Sequence, residues 1–104
     1  MTDKRIVLTT VGDRKEAEEL AWALVERKLA ACVNIVPITG VFKWKGELEQ
    51  QQEYMLMIKT SAAAFERVQD AIKELNSYEL PECLQISIEA GSDSYLNWIA
   101  ESLK

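Results

Sequence analysis

The spacing of apolar residues along the chain switches repeatedly between a strand period and a helix period. Arg5 to Val11 (RIVLTTV) is β-branched and apolar without clear alternation, which fits a central strand buried on both faces. Gly12-Asp13 breaks it, and Asp13 with Glu16 forms a capping-box-like pair. Ala17, Leu20, Ala21, Leu24 and Val25 then recur at helical spacing, with Glu18, Glu19 and Glu26 largely off the stripe. The spacing predicts an amphipathic helix ending near Lys28. Ala30 to Trp44 reads as a second strand. Pro37 lacks an amide donor and demands a bulge or an edge position, and a bent edge strand with a bulge at Pro37 is expected. After a turn at Lys45-Gly46, Glu47 to Thr60 reads as a third strand. Tyr54, Leu56 and Ile58 point one way; Glu53, Met55, Met57 and Lys59 point the other.

Ser61 can cap the next helix, which carries Phe65, Val68, Ile72 and Leu75 and stops at Asn76-Ser77. Tyr78 to Glu82 is an extended loop held by Pro81. Cys83 to Glu89 alternates, with Leu84, Ile86 and Ile88 inward, and predicts a fourth strand. Gly91-Ser92-Asp93 opens a final helix with Leu96, Ile99 and Leu103. The order is βαββαβ plus a C-terminal helix. Two interleaved right-handed crossovers give an α+β, ferredoxin-like sandwich with sheet order 4-1-3-2. The β2–β3 hairpin is too long for one small domain to bury. Its stretch Glu47 to Glu53 is nearly all Glu and Gln, so it should reach out and pair with something. The sheet face carrying Met55 and Met57 has no helix of the core repeat to cover it, and a neighbouring subunit is the simplest cover.

Composition narrows the function classes. A length of 104 residues predicts one domain, residues 1–104. A net charge of −5, with no basic face, argues against nucleic acid as a partner. No apolar run approaches the ~20 residues that span a bilayer, so no membrane role is expected. The chain opens without an apolar leader, and Cys32 and Cys83 form no close-spaced redox or metal motif, so a cytoplasmic location with reduced thiols is expected. Histidine is absent, which removes the commonest general base and metal ligand. No glycine-rich phosphate loop is present and no Ser or Cys has a histidine base, so no enzymatic activity is expected. An acylphosphatase-like reading would need an arginine in an anion loop after the first strand, and Arg14 falls inside the first helical turn.

Five blocks occur in a familiar order: KLAACVNI, WKG, EYMLMIKT, SYELPE and YLNWI. Together they resemble the CutA divalent-ion tolerance family and cover nearly the whole chain. The resemblance implies a ferredoxin-like fold in a compact homotrimer, with the long hairpin and the final strand reaching into neighbouring subunits. It also implies a role in tolerance to copper and other divalent cations, with no reaction attached. One departure stands out. The family commonly carries a histidine just before the Tyr-Glu-x-Pro-Glu block, where this chain reads Asn76-Ser77. A copper site using that imidazole cannot form here.

Candidate residues follow from both readings. Cys32 matches the Ala-Ala-Cys position and is the best soft ligand for Cu(I) or zinc, although a cysteine beside two alanines also serves as a small buried hydrophobe. Met55 and Met57 share a face, as thioethers or as packing. Glu53, Lys59, Tyr78 and Glu82 could together line a cleft at a subunit boundary or form an intersubunit ion-pair set. Trp44 and Trp98 are expected as packing anchors, Trp44 at that boundary. Three functions remain: a trimer that responds to or binds copper or another divalent ion, a PII-like signalling module that binds a small metabolite between subunits, or a scaffold for partner proteins.

Overall fold

The computed structural model describes residues 1–104. Strand β1 (Lys4–Val11) is followed by helix α1 (Arg14–Glu26), strands β2 (Cys32–Trp44) and β3 (Glu47–Ser61), helix α2 (Phe65–Leu75), strand β4 (Leu84–Ser87) and helix α3 (Asp93–Ser102). The sheet order is β2-β3-β1-β4, every neighbouring pair antiparallel, as the interleaved crossovers predict. Helices α1 and α2 cover one face. Thirteen buried residues form the core there, with Leu56 and Ile58 of β3 and Val7 and Val11 of β1 meeting Leu20, Leu24, Val68 and Ile72.

Local chemistry sets the helix ends. The Asp13 side chain accepts the Glu16 N–H at 2.8 Å. The reciprocal half of a capping box is absent: the Glu16 carboxylate instead accepts from Ser77 N–H (2.8 Å) and Ser77 Oγ–H (2.9 Å). It thereby ties the end of α2 to the start of α1. Lys28 is left-handed (φ 59), and its N–H reaches the Val25 carbonyl while Leu29 N–H reaches that of Leu24. That is a Schellman stop, with Leu24 and Leu29 both in the core. Ser61 accepts the Ala64 N–H and caps a short 3₁₀ turn that leads into α2.

The hairpin carries one uninterrupted register from Trp44↔Glu47 to Cys32↔Lys59. No bulge occurs at Pro37, which pairs directly with Tyr54. The edge alternative is what the fold uses: β2 has a partner on one side only, so a proline there removes no ladder bond if its nitrogen faces outward. The irregularity lies earlier, where Ala31 N–H reaches the Lys59 carbonyl (2.9 Å) although Lys59 pairs with Cys32. At the turn, Lys45 (φ 51) and Gly46 (φ 85) are both left-handed, the signature of a two-residue type I′ hairpin turn. A Cβ on Gly46 would meet nothing within 4 Å, so Gly46→Ala tests backbone strain alone. It should cost about 1–2 kcal/mol, read as a lower denaturation midpoint with an unchanged denaturant slope.

The opposite sheet face is only partly covered. Helix α3 lies against β3 at one end, with Ile99 buried and Lys59 Nζ 3.3 Å from the Tyr95 hydroxyl. The remainder carries half-buried Met55 and Met57, and Val36, Leu84 and Ile86 are exposed at 38%, 57% and 48%. Leu84 and Ile86 therefore do not point into the helical core. They stand on the open face of an edge strand that runs only from Leu84 to Ser87, shorter than expected.

Candidate functional site

A cleft of ≈ 740 Å³ opens between the outer half of the hairpin and the segment Tyr78 to Leu84. Three local features build it. Pro81 keeps the loop extended. Asn76, buried at the end of α2, anchors the loop's start: its amide donates to the Thr10 carbonyl (3.0 Å) and its carbonyl accepts the Tyr78 N–H (2.9 Å). Gly40 leaves room on β2, because a Cβ there would collide with the Glu53 carboxylate.

Glu53 is the centre of the cleft. It is 8% exposed, and one carboxylate oxygen accepts the Tyr78 hydroxyl at 3.0 Å. The other, lying over Gly40, has no hydrogen-bond partner in the protomer. A nine-tenths buried carboxylate with an unmet oxygen is costly unless something donates to it. Glu82 lines the same cleft, and burial followed by the charge of Glu53 raises its carboxyl above the ordinary glutamate value. Burial, then the hydrogen bond to Glu53, push the Tyr78 phenol up to about 12; Glu16 and Asp13 add smaller charge effects. Burial also raises the Cys83 thiol, opposed by Lys73 and aided by Glu82. Phe42, Trp44, Leu80 and Leu84 form apolar walls. At the exposed rim, Lys45 lies 5.6 Å from the centre of the Trp44 ring and 3.4 Å from the Glu79 carboxylate. No cation answers Glu53 and Glu82 inside.

Both shifts have a definite sign. The folded state holds the Tyr78 proton more tightly than the unfolded chain does. Its stabilisation is whole below about pH 10 and lost as the pH climbs through 12. Glu82 behaves alike at lower pH: its contribution is whole below the ordinary glutamate range and lost as pH rises through the raised value. Tyrosinate absorbance should therefore show one phenol ionising near pH 12. Glu53→Gln should bring it down, because the acceptor charge disappears while burial remains. A late phenol unmoved by that change would detach Tyr78 from Glu53.

Of the residues expected from the sequence, Glu53, Tyr78, Glu82 and Trp44 come together. Lys59 does not. It shares the face of Glu53 but lies six residues along β3, roughly 20 Å at strand rise, held by Tyr95. Cys32 pairs with Lys59 at that distant end and is half-buried, its thiol 3.8 Å from the Asn34 side-chain oxygen. No three His, Cys, Asp or Glu side chains converge in the protomer to hold a metal ion. Around Cys32 the donor set is one sulfur and one amide oxygen beside an ammonium, a poor match for a cation. Asn76 and Gly40 were read as a helix stop and a strand break. Their roles in shaping the cleft carry no local sequence signal beyond that.

Residues 5–102 match the family described as CutA1 divalent ion tolerance protein. The divalent-cation tolerance protein CutA of Thermus thermophilus is 41% identical over 100 residues, 95% of this chain and 97% of that protein. Human protein CutA is 38% identical over 93 residues, 88% of this chain but 52% of the human protein, so the chain spans about half of that relative. Among solved structures, the periplasmic divalent cation tolerance protein CutA from Archaeoglobus fulgidus superposes with a TM-score of 0.95 at 39% identity, over 97% of this chain and 99% of that one. CutA from Synechococcus elongatus gives 0.96 at 38% identity, over 100% and 93%.

Proposed function

Because the chain belongs to the CutA1 divalent ion tolerance protein family, we propose that it acts in divalent-cation tolerance as a homotrimer whose acidic cleft takes up a positively charged ligand. The observation that carries this reading is the unmet oxygen of buried Glu53 beside Glu82, whose carboxyl is itself driven toward its neutral form. A cation entering the cleft meets two carboxylates that lack a counter-charge, and it should expel the Glu82 proton in the range just above the ordinary glutamate value. The trimer rests on the open face and on two unpaired edge strands, β2 and β4, which a closed assembly would cover. No stable folded monomer is expected at micromolar concentration.

A PII-like module binding a small metabolite is the second reading. The cleft volume lies in the range of small-molecule sites. Its acidic lining opposes phosphate-bearing ligands such as nucleotides. A cytoplasmic location belongs to the proposal and rests on the two free thiols. No helix is long and apolar enough to cross a membrane. Cell fractionation decides between this and the periplasmic placement described for the Archaeoglobus protein.

The test is calorimetric titration of the intact protein with Zn(II), Cu(II), Mg(II) and, under reducing conditions, Cu(I). Uptake through the cleft should weaken at least about tenfold in Glu53→Gln, the scale of one charge-assisted contact, and survive Cys32→Ser. Uptake lost in Cys32→Ser and unchanged in Glu53→Gln would move the site to the thiol and favour Cu(I), the softer ion.

A further inference from the structure

We infer that the cleft is built for an organic amine: a single ammonium group held by Glu53, Glu82 and the Tyr78 hydroxyl oxygen, with an apolar body lying between Phe42 and Trp44. This rests on the cation-accepting reading of the same cleft and narrows the ligand class.

Three observations separate an amine from a bare metal ion. The first is the donor count. Magnesium and calcium take six or more oxygens, and zinc prefers four ligands of N or S character. The cleft offers two carboxylates and a phenol, and no convergent set of three metal-binding side chains exists in the protomer. An ammonium group has three donors and matches three acceptors. The Tyr78 hydroxyl spends its proton on Glu53, which leaves its oxygen free to accept. That phenol stays protonated throughout the neutral range, so it is no anionic metal ligand.

The second observation is the lining. Phe42, Trp44, Leu80 and Leu84 present apolar and aromatic surface around the acidic end. A hydrated metal ion gains nothing from such walls. The carbon body of an amine does, and an aromatic face also attracts the charged head. The third is volume. At ≈ 740 Å³ the cleft falls among small-molecule sites and far exceeds what one ion fills. The nine-tenths buried Glu53 with one oxygen unanswered supplies the anchor that distinguishes this cleft from a surface patch of acids.

The experiment titrates the intact protein at neutral pH with 2-phenylethylamine, its neutral counterpart 2-phenylethanol, the anion phenylacetate, and Mg(II) and Zn(II) separately. The amine should bind on the order of tenfold to a hundredfold tighter than the alcohol, the difference one charge-assisted hydrogen-bonded head makes. Phenylacetate should not bind. Glu53→Gln should erase the preference for amine over alcohol, and Trp44→Ala should weaken both. Should the metals bind through Glu53 while the amine does not, this inference falls and the cation-accepting cleft stands. Failure of amine and metals alike overturns both. Equal affinity for amine and alcohol would show an apolar cavity without a charge-reading anchor and overturns the inference as well.

Discussion

Ile86→Asp is expected to break the assembly. Ile86 stands on the open face of edge strand β4, 48% exposed in the protomer, in register with Ile6. Burying an aspartate there without a partner costs several kcal/mol per subunit, and a trimer repeats the cost three times. Sedimentation at micromolar concentration should shift from trimer to monomer or aggregate. The melting temperature should become strongly dependent on concentration or collapse, because association itself stabilises the fold. Ile86→Val, which keeps the apolar contact, should leave the trimer intact. A trimer that survives Ile86→Asp would place the interface elsewhere and weaken the argument from the bare sheet face.

The second large effect is expected at Asn76. Its side chain is buried and donates to the Thr10 carbonyl at 3.0 Å, lies 3.5 Å from the Thr9 hydroxyl, and accepts the Tyr78 N–H at 2.9 Å. Asn76→Ala leaves a strand carbonyl and a loop amide unanswered, each costing about 1–3 kcal/mol, so a loss of about 2–4 kcal/mol is expected. The functional effect should exceed what instability alone produces. With the loop released from β1, Tyr78 loses its placement against Glu53, and its late ionisation should move back toward pH 10 under conditions where the protein is still folded. A variant that is destabilised but retains the phenol near pH 12 would show that the loop holds its path without Asn76. This is also where resembling sequences carry histidine; here an amide does structural work at the start of the cleft loop.

The sheet order was readable because strand composition reports burial directly. The first and third strands are apolar on both faces, and they are the two central ones. The edge strands were harder. A proline excludes a ladder bond without saying whether the strand bulges or turns its nitrogen outward, and β2 does the latter. Alternation in Leu84, Gln85 and Ile86 gave a correct apolar face, but whether that face meets helices or another chain depends on surface beyond the protomer. In the cleft, period two placed Glu53 and Lys59 on one side of β3 correctly. Sharing a side is not sharing a place, and strand rise alone separates them by roughly 20 Å. Glu16 shows the complementary failure: a local capping rule was outcompeted by Ser77, far away in sequence, which offers two donors at once.

The unbroken hairpin register has a kinetic consequence. Every β2–β3 pair grows outward from the Lys45-Gly46 turn, so the arm closes short loops one after another and can zip within microseconds. The β1–β4 pairing joins opposite ends of the chain and must wait for a costly closure. Subunit docking comes after both and depends on concentration. Refolding should thus show a fast phase independent of protein concentration, slowed by Gly46→Ala, and a later phase that accelerates with concentration and vanishes in Ile86→Asp. The arm that reaches furthest from the protomer is the part of it that forms first.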